Sequence, residues 1–364
     1  MSSFEPTEEQ AMLVDAVKRY SSNDLRPAAH DADEEREFAF DLLEKGWELG
    51  ILQASIPEEY GGFGDHSAVT GVLAAEELGW GDIAGGLAVM APAAYVIPIL
   101  LGGTEEQKKN LILPVIEAEW KPYVAAFNEP QFDFYAGEMS TTAQLEGENY
   151  VLNGEKVRVP FADKAESILV FANLDGKTQA FIVSPDAEGL QVGEREALLG
   201  IQALPTYSVR FENVTVPFEA RLGGEEGFDP ELVFASSNVA AAALGVGLAR
   251  GAYEYARDYA KEREAFGGPI AQKQSIAFML AEMAIEIEAI RLLVWEAAWK
   301  LDEGKEDASH AAYVALTGAS DMAMMVTDRA VQILGGYGYI REYPVELWMR
   351  NGRGIPTFPG LVSV

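Results

Sequence analysis

The sequence predicts an α+β protein built as three consecutive parts: helical, then β, then helical. Three observations predict it. The first third carries helix-start signatures followed by apolar residues at helical spacing. After Lys121-Pro122 the pattern changes to alternating polar and apolar residues punctuated by Glu-Gly and Asn-Gly. From about Asp229 long stretches with helical periodicity return. The expected domains are an N-terminal α-helical domain over 1–122, a middle β-barrel or sandwich domain over 123–228, and a C-terminal four-helix bundle over 229–364.

In order along the chain, Thr7-Glu8-Glu9-Gln10 is a capping box that opens a helix with Met12, Leu13 and Val17 on one face. "FDLLEKGWELGIL" and "SAVTGVLAAEELGW" read as further helices, separated by the Gly-rich loop "PEEYGGFG". Ile83 to Leu101 carries no charge, but Pro92 and Pro98 interrupt it, so it reads as a buried, broken helix rather than a membrane span. Thr104-Glu105-Glu106-Gln107 is a second capping box. "TTAQLEGENYVLNGEKVRVPF" reads as a meander with turns at Glu-Gly and Asn-Gly, and "SILVFANL", "QAFIVSP" and "YSVRFENVTVP" as strands. Three long helices follow, beginning in "NVAAAALGVGLARG", "IAQKQSIAFMLAEM" and "DASHAAYVALTG".

Composition narrows the function. The formal net charge of −31 over 364 residues opposes binding to nucleic acid or anionic membrane. With no cysteine, disulfides, thiolate nucleophiles and Cys-ligated metals are excluded. His30, His66 and His310 are scattered and form no zinc motif. The acidic N-terminus lacks the pattern of a secretory signal, so a cytoplasmic protein is expected.

Five segments, in this order, resemble the acyl-CoA dehydrogenase family of flavoproteins: "GILQASIPEEYGGFG", "GTEEQKKNLILPVIEAE", "VRFENVTVP", "REAFGGPIAQKQSIAFMLAEM" and "QILGGYGYIREYPVELWMR". The resemblance implies FAD and α,β-dehydrogenation of acyl-CoA thioesters, with electron-transferring flavoprotein as acceptor. A carboxylate takes the α proton while hydride leaves the β carbon. It also implies that each FAD site is assembled from two subunits of a tetramer-like bundle.

The adenine and pyrophosphate half of that site is intact. Arg263, Phe266, Gly267 and Gln274 match the family's R-x-x-F-G…Q pattern, and Gln332, Gly335, Gly336 and Gly338 match Q-x-x-G-G-x-G. Arg263 offers a charge-assisted fork to a phosphate, Phe266 a flat apolar face, and the glycines close backbone approach. Without the family match, "FGGP" between two helices is also an ordinary helix stop and restart. The flavin-ring half is altered. The family's T-E-P-x-A-G-S-D reads "NEPQFDFY" from Asn128 to Tyr135, with Phe134 at the serine position. W-I-[TS]-N reads Arg158-Val159-Pro160-Phe161, and E-G-T reads Pro359-Gly360-Leu361. Some members carry the base on the first bundle helix, where this chain has Ser237. No catalytic residue is therefore assigned, since Pro359 and Ser237 occupy the two base positions. Glu225, Glu226, Asp229, Glu231 and Asp133 read as solvated surface charges.

Three expectations follow. The first is a subunit that supplies the adenine half of a shared FAD site, through Arg263, Phe266, Gln274, Gln332, Gly335 and Gly336, to a catalytic paralogue. The second is a self-sufficient flavoenzyme with a relocated base or altered chemistry, assembled with copies of itself. The third is a cofactor-free scaffold.

Overall fold

A computed structural model describes residues 6–117 and 119–364. The helical first part comprises α1 (Glu8–Tyr20), α2 (Arg26–Glu35), α3 (Phe40–Trp47), α4 (Ala68–Gly81), α5 (Ile83–Val89), α6 (Ala93–Gly102), α7 (Glu105–Leu111) and α8 (Leu113–Ile116). Both expected capping boxes form. Thr7 and Thr104 each accept from the backbone N–H three residues on, and Gln10 and Gln107 accept in return from the cap amides. One wide helical turn at Ser21–Leu25 joins α1 to α2. The uncharged stretch read as a broken helix is α5 and α6, bent by 53° at the break that holds Pro92.

The middle part holds β1 (Tyr123–Ala126), β2 (Thr142–Glu146), β3 (Asn149–Pro160), β4 (Ser167–Leu174), β5 (Lys177–Val183), β6 (Leu190–Arg195) and β7 (Thr206–Pro217). They form one sheet in the order β1-β4-β2-β3-β7-β6, with β5 also paired to β4. The expected meander forms as a single hairpin, β2–β3; β4–β5 and β6–β7 are also antiparallel neighbours, whereas β1 and β2 run parallel to β4. Asn153-Gly154 is not a turn. It is a bulge inside β3, where the register against β7 shifts. The strands enclose an apolar core of their own around Leu152, Val170, Phe181 and Phe211, separate from the core that the helices share.

The last part is α9 (Pro230–Glu262), α10 (Gln274–Asp302), α11 (Ala308–Leu334) and α12 (Val345–Gly352). α9 is apolar and long enough to cross a bilayer, yet 83% of its most apolar window is buried within the fold. Small residues let it cross α4 closely: a Cβ on Gly247 would lie 1.9 Å from the Glu76 carbonyl oxygen. The crossing is pinned by charge. Arg250 pairs with Glu76 and Glu77 at 3.1 and 2.7 Å, and Arg291 of α10 pairs with Glu76 at 2.9 Å. Arg26 stacks between the rings of Trp80 and Trp348, at 4.1 and 4.6 Å, tying the first part to α12. This packing brings the end of β1, the start of α9 and the segment after α12 to one place.

Candidate functional site: a closed inner half and an open outer half

The inner half begins where β1 runs into Phe127, Asn128 and Glu129. Glu129 is fully buried and accepts from the amides of Ser140 and Thr141 at 2.7 and 2.8 Å and from Lys156 Nζ at 2.8 Å. Lys156, also fully buried, donates to the Phe127 carbonyl at 3.1 Å. Burial pushes the Lys156 ammonium down to about 8. Burial pushes the Glu129 carboxyl up, but Lys156 and the two amides outweigh it and hold the group below its usual range. The altered loop 130–139 is thus pinned to β3 at both ends.

Asn128, at the family's Thr position, donates through Nδ2 to the Pro359 carbonyl at 3.0 Å. The Gly360 amide donates to Ser237 Oγ at 2.7 Å, and Ser237 donates onward to the Val362 carbonyl at 2.5 Å. Positions 128, 237 and 359, far apart in sequence, therefore meet. Pro359 offers no proton acceptor on its side chain, and the Ser237 hydroxyl is already engaged. Phe127 fills the space beside them, with its ring 5.7, 5.1 and 5.3 Å from those of Phe134, Phe171 and Phe234. Phe134 thus packs into an aromatic cluster where the family has a hydroxyl.

Arg158 takes a left-handed φ of 55° at a bulge in β3. Its amide donates to the Glu196 carboxylate at 3.1 and 3.2 Å. Its Nε is buried without a partner, as is Thr206 Oγ1, one strand across from Pro160. The five candidate acids do not enter this site: Asp133, Glu225, Glu226, Asp229 and Glu231 are exposed, and Asp229 caps α9.

The outer half lies where α9 ends, α10 begins and α11 ends. Arg263 and Gly336 line one groove of about 450 Å³ with Tyr259, Ile270, Ile333, Leu334, Tyr337 and Ile340. The Arg263 guanidinium lies 5.3 Å over the Tyr337 ring. Phe266 stands 93% exposed on a loop held by the Glu264–Pro269 bridge and by Lys273 Nζ, which donates to the Phe266 carbonyl at 2.9 Å. Gln274 and Gln332 are exposed as well. Among the described residues, the side chains of Arg263, Gln274 and Gln332 form no hydrogen bond or ion pair. Gly335 has φ 60° and ψ −127°, a region open only to glycine, and a Cβ on it or on Gly336 would meet nothing within 4 Å.

Sequence reasoning missed the Glu129–Lys156 clamp and the serine contacts. A charged residue at the end of the apolar run "YVAAFNE", and another inside "GEKVRV", were the available signals for the clamp.

Comparison with known proteins follows the same three-part division. The family descriptions "Acyl-CoA dehydrogenase, N-terminal domain", "middle domain" and "C-terminal domain" match residues 7–119, 125–214 and 232–361. The chain is 33% identical to the short-chain specific acyl-CoA dehydrogenase of Clostridium acetobutylicum, over 99% of this chain and 97% of that protein. The structure of butyryl-CoA dehydrogenase from Megasphaera elsdenii superposes with a TM-score of 0.90 at 33% identity, covering 99% of this chain and 96% of that one. A solved FAD complex of PigA superposes with a TM-score of 0.89 at 25% identity, covering 98% and 95% of the two chains. With all three parts matched in order and relatives aligned end to end, the chain belongs to the acyl-CoA dehydrogenase family.

Proposed function

We propose that this chain is a non-catalytic subunit of an FAD-dependent acyl-CoA dehydrogenase, supplying the adenine and pyrophosphate half of a shared FAD site to a catalytic paralogue. One observation carries the reading. The two base positions, Pro359 and Ser237, are bonded into a sealed inner half, while the outer half presents unengaged donors.

The two halves fit the cofactor differently. The outer half fits a dinucleotide: Arg263 supplies a guanidinium fork for a phosphate, Gln274 and Gln332 supply free amides, and the Gly335-Gly336 backbone leaves open space for close approach. Phe266 offers an exposed aromatic face to a ring. The inner half does not fit a flavin ring, because Phe134, Phe127 and the Gly360–Ser237 contact fill the place where ring and substrate would meet. FAD, when bound in the assembly, supplies the hydride acceptor. This chain's residues bind and orient its far end, and the proton-abstracting carboxylate comes from the partner.

The surface supports assembly with another chain. Phe278, Ile285, Leu292 and Trp299 recur every seven residues along α10 and are 44% to 66% exposed. A second copy would add another chain of net charge −31 to the assembly, so a paralogue with fewer negative charges is the better match. The test is to assemble the complex with Arg263→Ala or Gln332→Ala in this chain. Assembly should persist while FAD binding weakens by about 10- to 100-fold for the arginine, the value of a charge-assisted contact. Undiminished flavin in both variants would instead favour the cofactor-free scaffold.

One observation favours a second reading, a self-sufficient flavoenzyme assembled from copies of itself. The buried, unpartnered Arg158 Nε and Thr206 Oγ1 are polar atoms that a bound ring system could satisfy. That reading requires turnover by this chain alone, lost on replacing one of its acids.

A further inference from the structure

The family's two base positions must both reach the same substrate carbon, so that carbon belongs between them. In this chain the gap is bridged within the protein. The Gly360 amide touches Ser237 Oγ, and Asn128 holds the Pro359 carbonyl from the other side. The following residues continue inward. Gly360, Leu361, Val362, Ser363 and Val364 are all buried. A Cβ on Gly360 would lie 2.3 Å from the Phe127 ring, and one on Gly71 of α4 would lie 2.5 Å from Val364 Cβ. The segment is thus wedged between β1, α4 and α9.

Two adjacent serines at the start of α9 hold it through main-chain groups only. Ser237 accepts from the Gly360 amide and donates to the Val362 carbonyl. Ser236 accepts from the Val364 amide at 3.2 Å and donates to the Val364 carbonyl at 2.5 Å. The buried Leu361, Val362 and Val364 side chains give the wedge an apolar body, and the main-chain oxygens of Pro359, Val362 and Val364 are already bonded. Apolar bulk carrying a hydrogen-bonded carbonyl is also the chemistry of an acyl thioester.

We propose that Pro359–Val364 is a built-in occupant of this chain's own acyl crevice, held by a serine clasp at Ser236 and Ser237. The proposal deepens the partner-subunit reading and rests on it. It makes the silent site closed to thioesters as well as lacking a base, so acyl-CoA is directed to the paralogue's site.

Hydrogen exchange on the intact chain tests the clasp. The Gly360 and Val364 amides should exchange at least about 100-fold more slowly than unstructured amides, as buried bonded amides do. Ser237→Ala should abolish that protection at Gly360. Unprotected amides in the native chain would overturn the proposal. Calorimetry with octanoyl-CoA tests the occupancy. Deleting residues 359–364 should raise affinity by at least about tenfold over the intact chain, or about 1.4 kcal/mol. If the deletion variant loses its cooperative melt, Ser236→Ala/Ser237→Ala should show the same direction. Equal affinity in the intact chain and a folded variant would refute the occupant. Flavin bound by the chain alone would instead refute the partner-subunit reading, so the two failures are distinguishable.

Discussion

The two halves of the site solve opposite problems with similar residue types. In the inner half the groups around the two base positions find partners inside the chain, Asn128 on Pro359, Glu129 on Lys156, Ser237 on Gly360 and Val362, and the exceptions are Arg158 Nε and Thr206 Oγ1. In the outer half Arg263, Gln274 and Gln332 are exposed, and their donors are unused among the described residues. A buried polar group without a partner costs stability, so the inner contacts are what keep the closed site folded. An exposed donor loses nothing by waiting in water. The difference teaches that the outer half is shaped for something outside the chain and the inner half for the chain itself.

The largest way to break the comparison is at the inner clamp. Glu129→Ala leaves Lys156 buried without its counter-charge and frees the Ser140 and Thr141 amides. Urea unfolding should show a loss of about 3–5 kcal/mol. Arg263→Ala in the outer half should change the stability of the isolated chain by less than about 0.5 kcal/mol. Equal losses at both positions would erase the distinction.

A second contrast uses two glycines. Gly360 has φ +87° and lies against Phe127. Gly360→Ala combines left-handed strain of about 1–2 kcal/mol with overpacking of about 1–3 kcal/mol. Gly335→Ala meets no atoms, so only backbone strain of about 1–3 kcal/mol remains. Thermal melts should rank Gly360→Ala as the more damaging.

A pH control lies outside both halves. Asp82 caps α5, and burial pushes its carboxyl up to about 6 from an ordinary 3.8. The folded chain therefore holds this proton more tightly than the unfolded chain. The stabilising contribution is present below about 4 and is lost as pH rises through about 6, a difference of about 3 kcal/mol. Asp82→Asn should flatten that part of the stability profile and leave the contrast between the halves intact. A slope unchanged by the substitution would contradict the assignment.

Much of the fold was legible because its signals are local. The capping boxes at Thr7 and Thr104 and the proline break between α5 and α6 each depend on a few neighbouring residues. Asn153-Gly154 misled because the same dipeptide suits a turn and a bulge, and the choice is made by Thr141 and β7 packed against it. The parallel pairing of β1 with β4 was hidden, since alternation records which face is buried and not which strand lies alongside. At the site, the residue types at Arg263, Gln274, Gln332, Ser237 and Pro359 could be read position by position. The closure could not. Ser237 marked only an absent carboxylate until its contacts with Gly360 and Val362, across more than a hundred residues, showed what the hydroxyl does.

The most direct test of the central claim is the flavin content of this chain purified alone with FAD supplied, compared with the chain assembled with the proposed catalytic paralogue. A closed inner half predicts close to no flavin in the folded chain alone, and flavin only in the assembly. Close to one flavin per chain in the isolated protein would contradict the closed inner half and return the chain to the self-sufficient flavoenzymes.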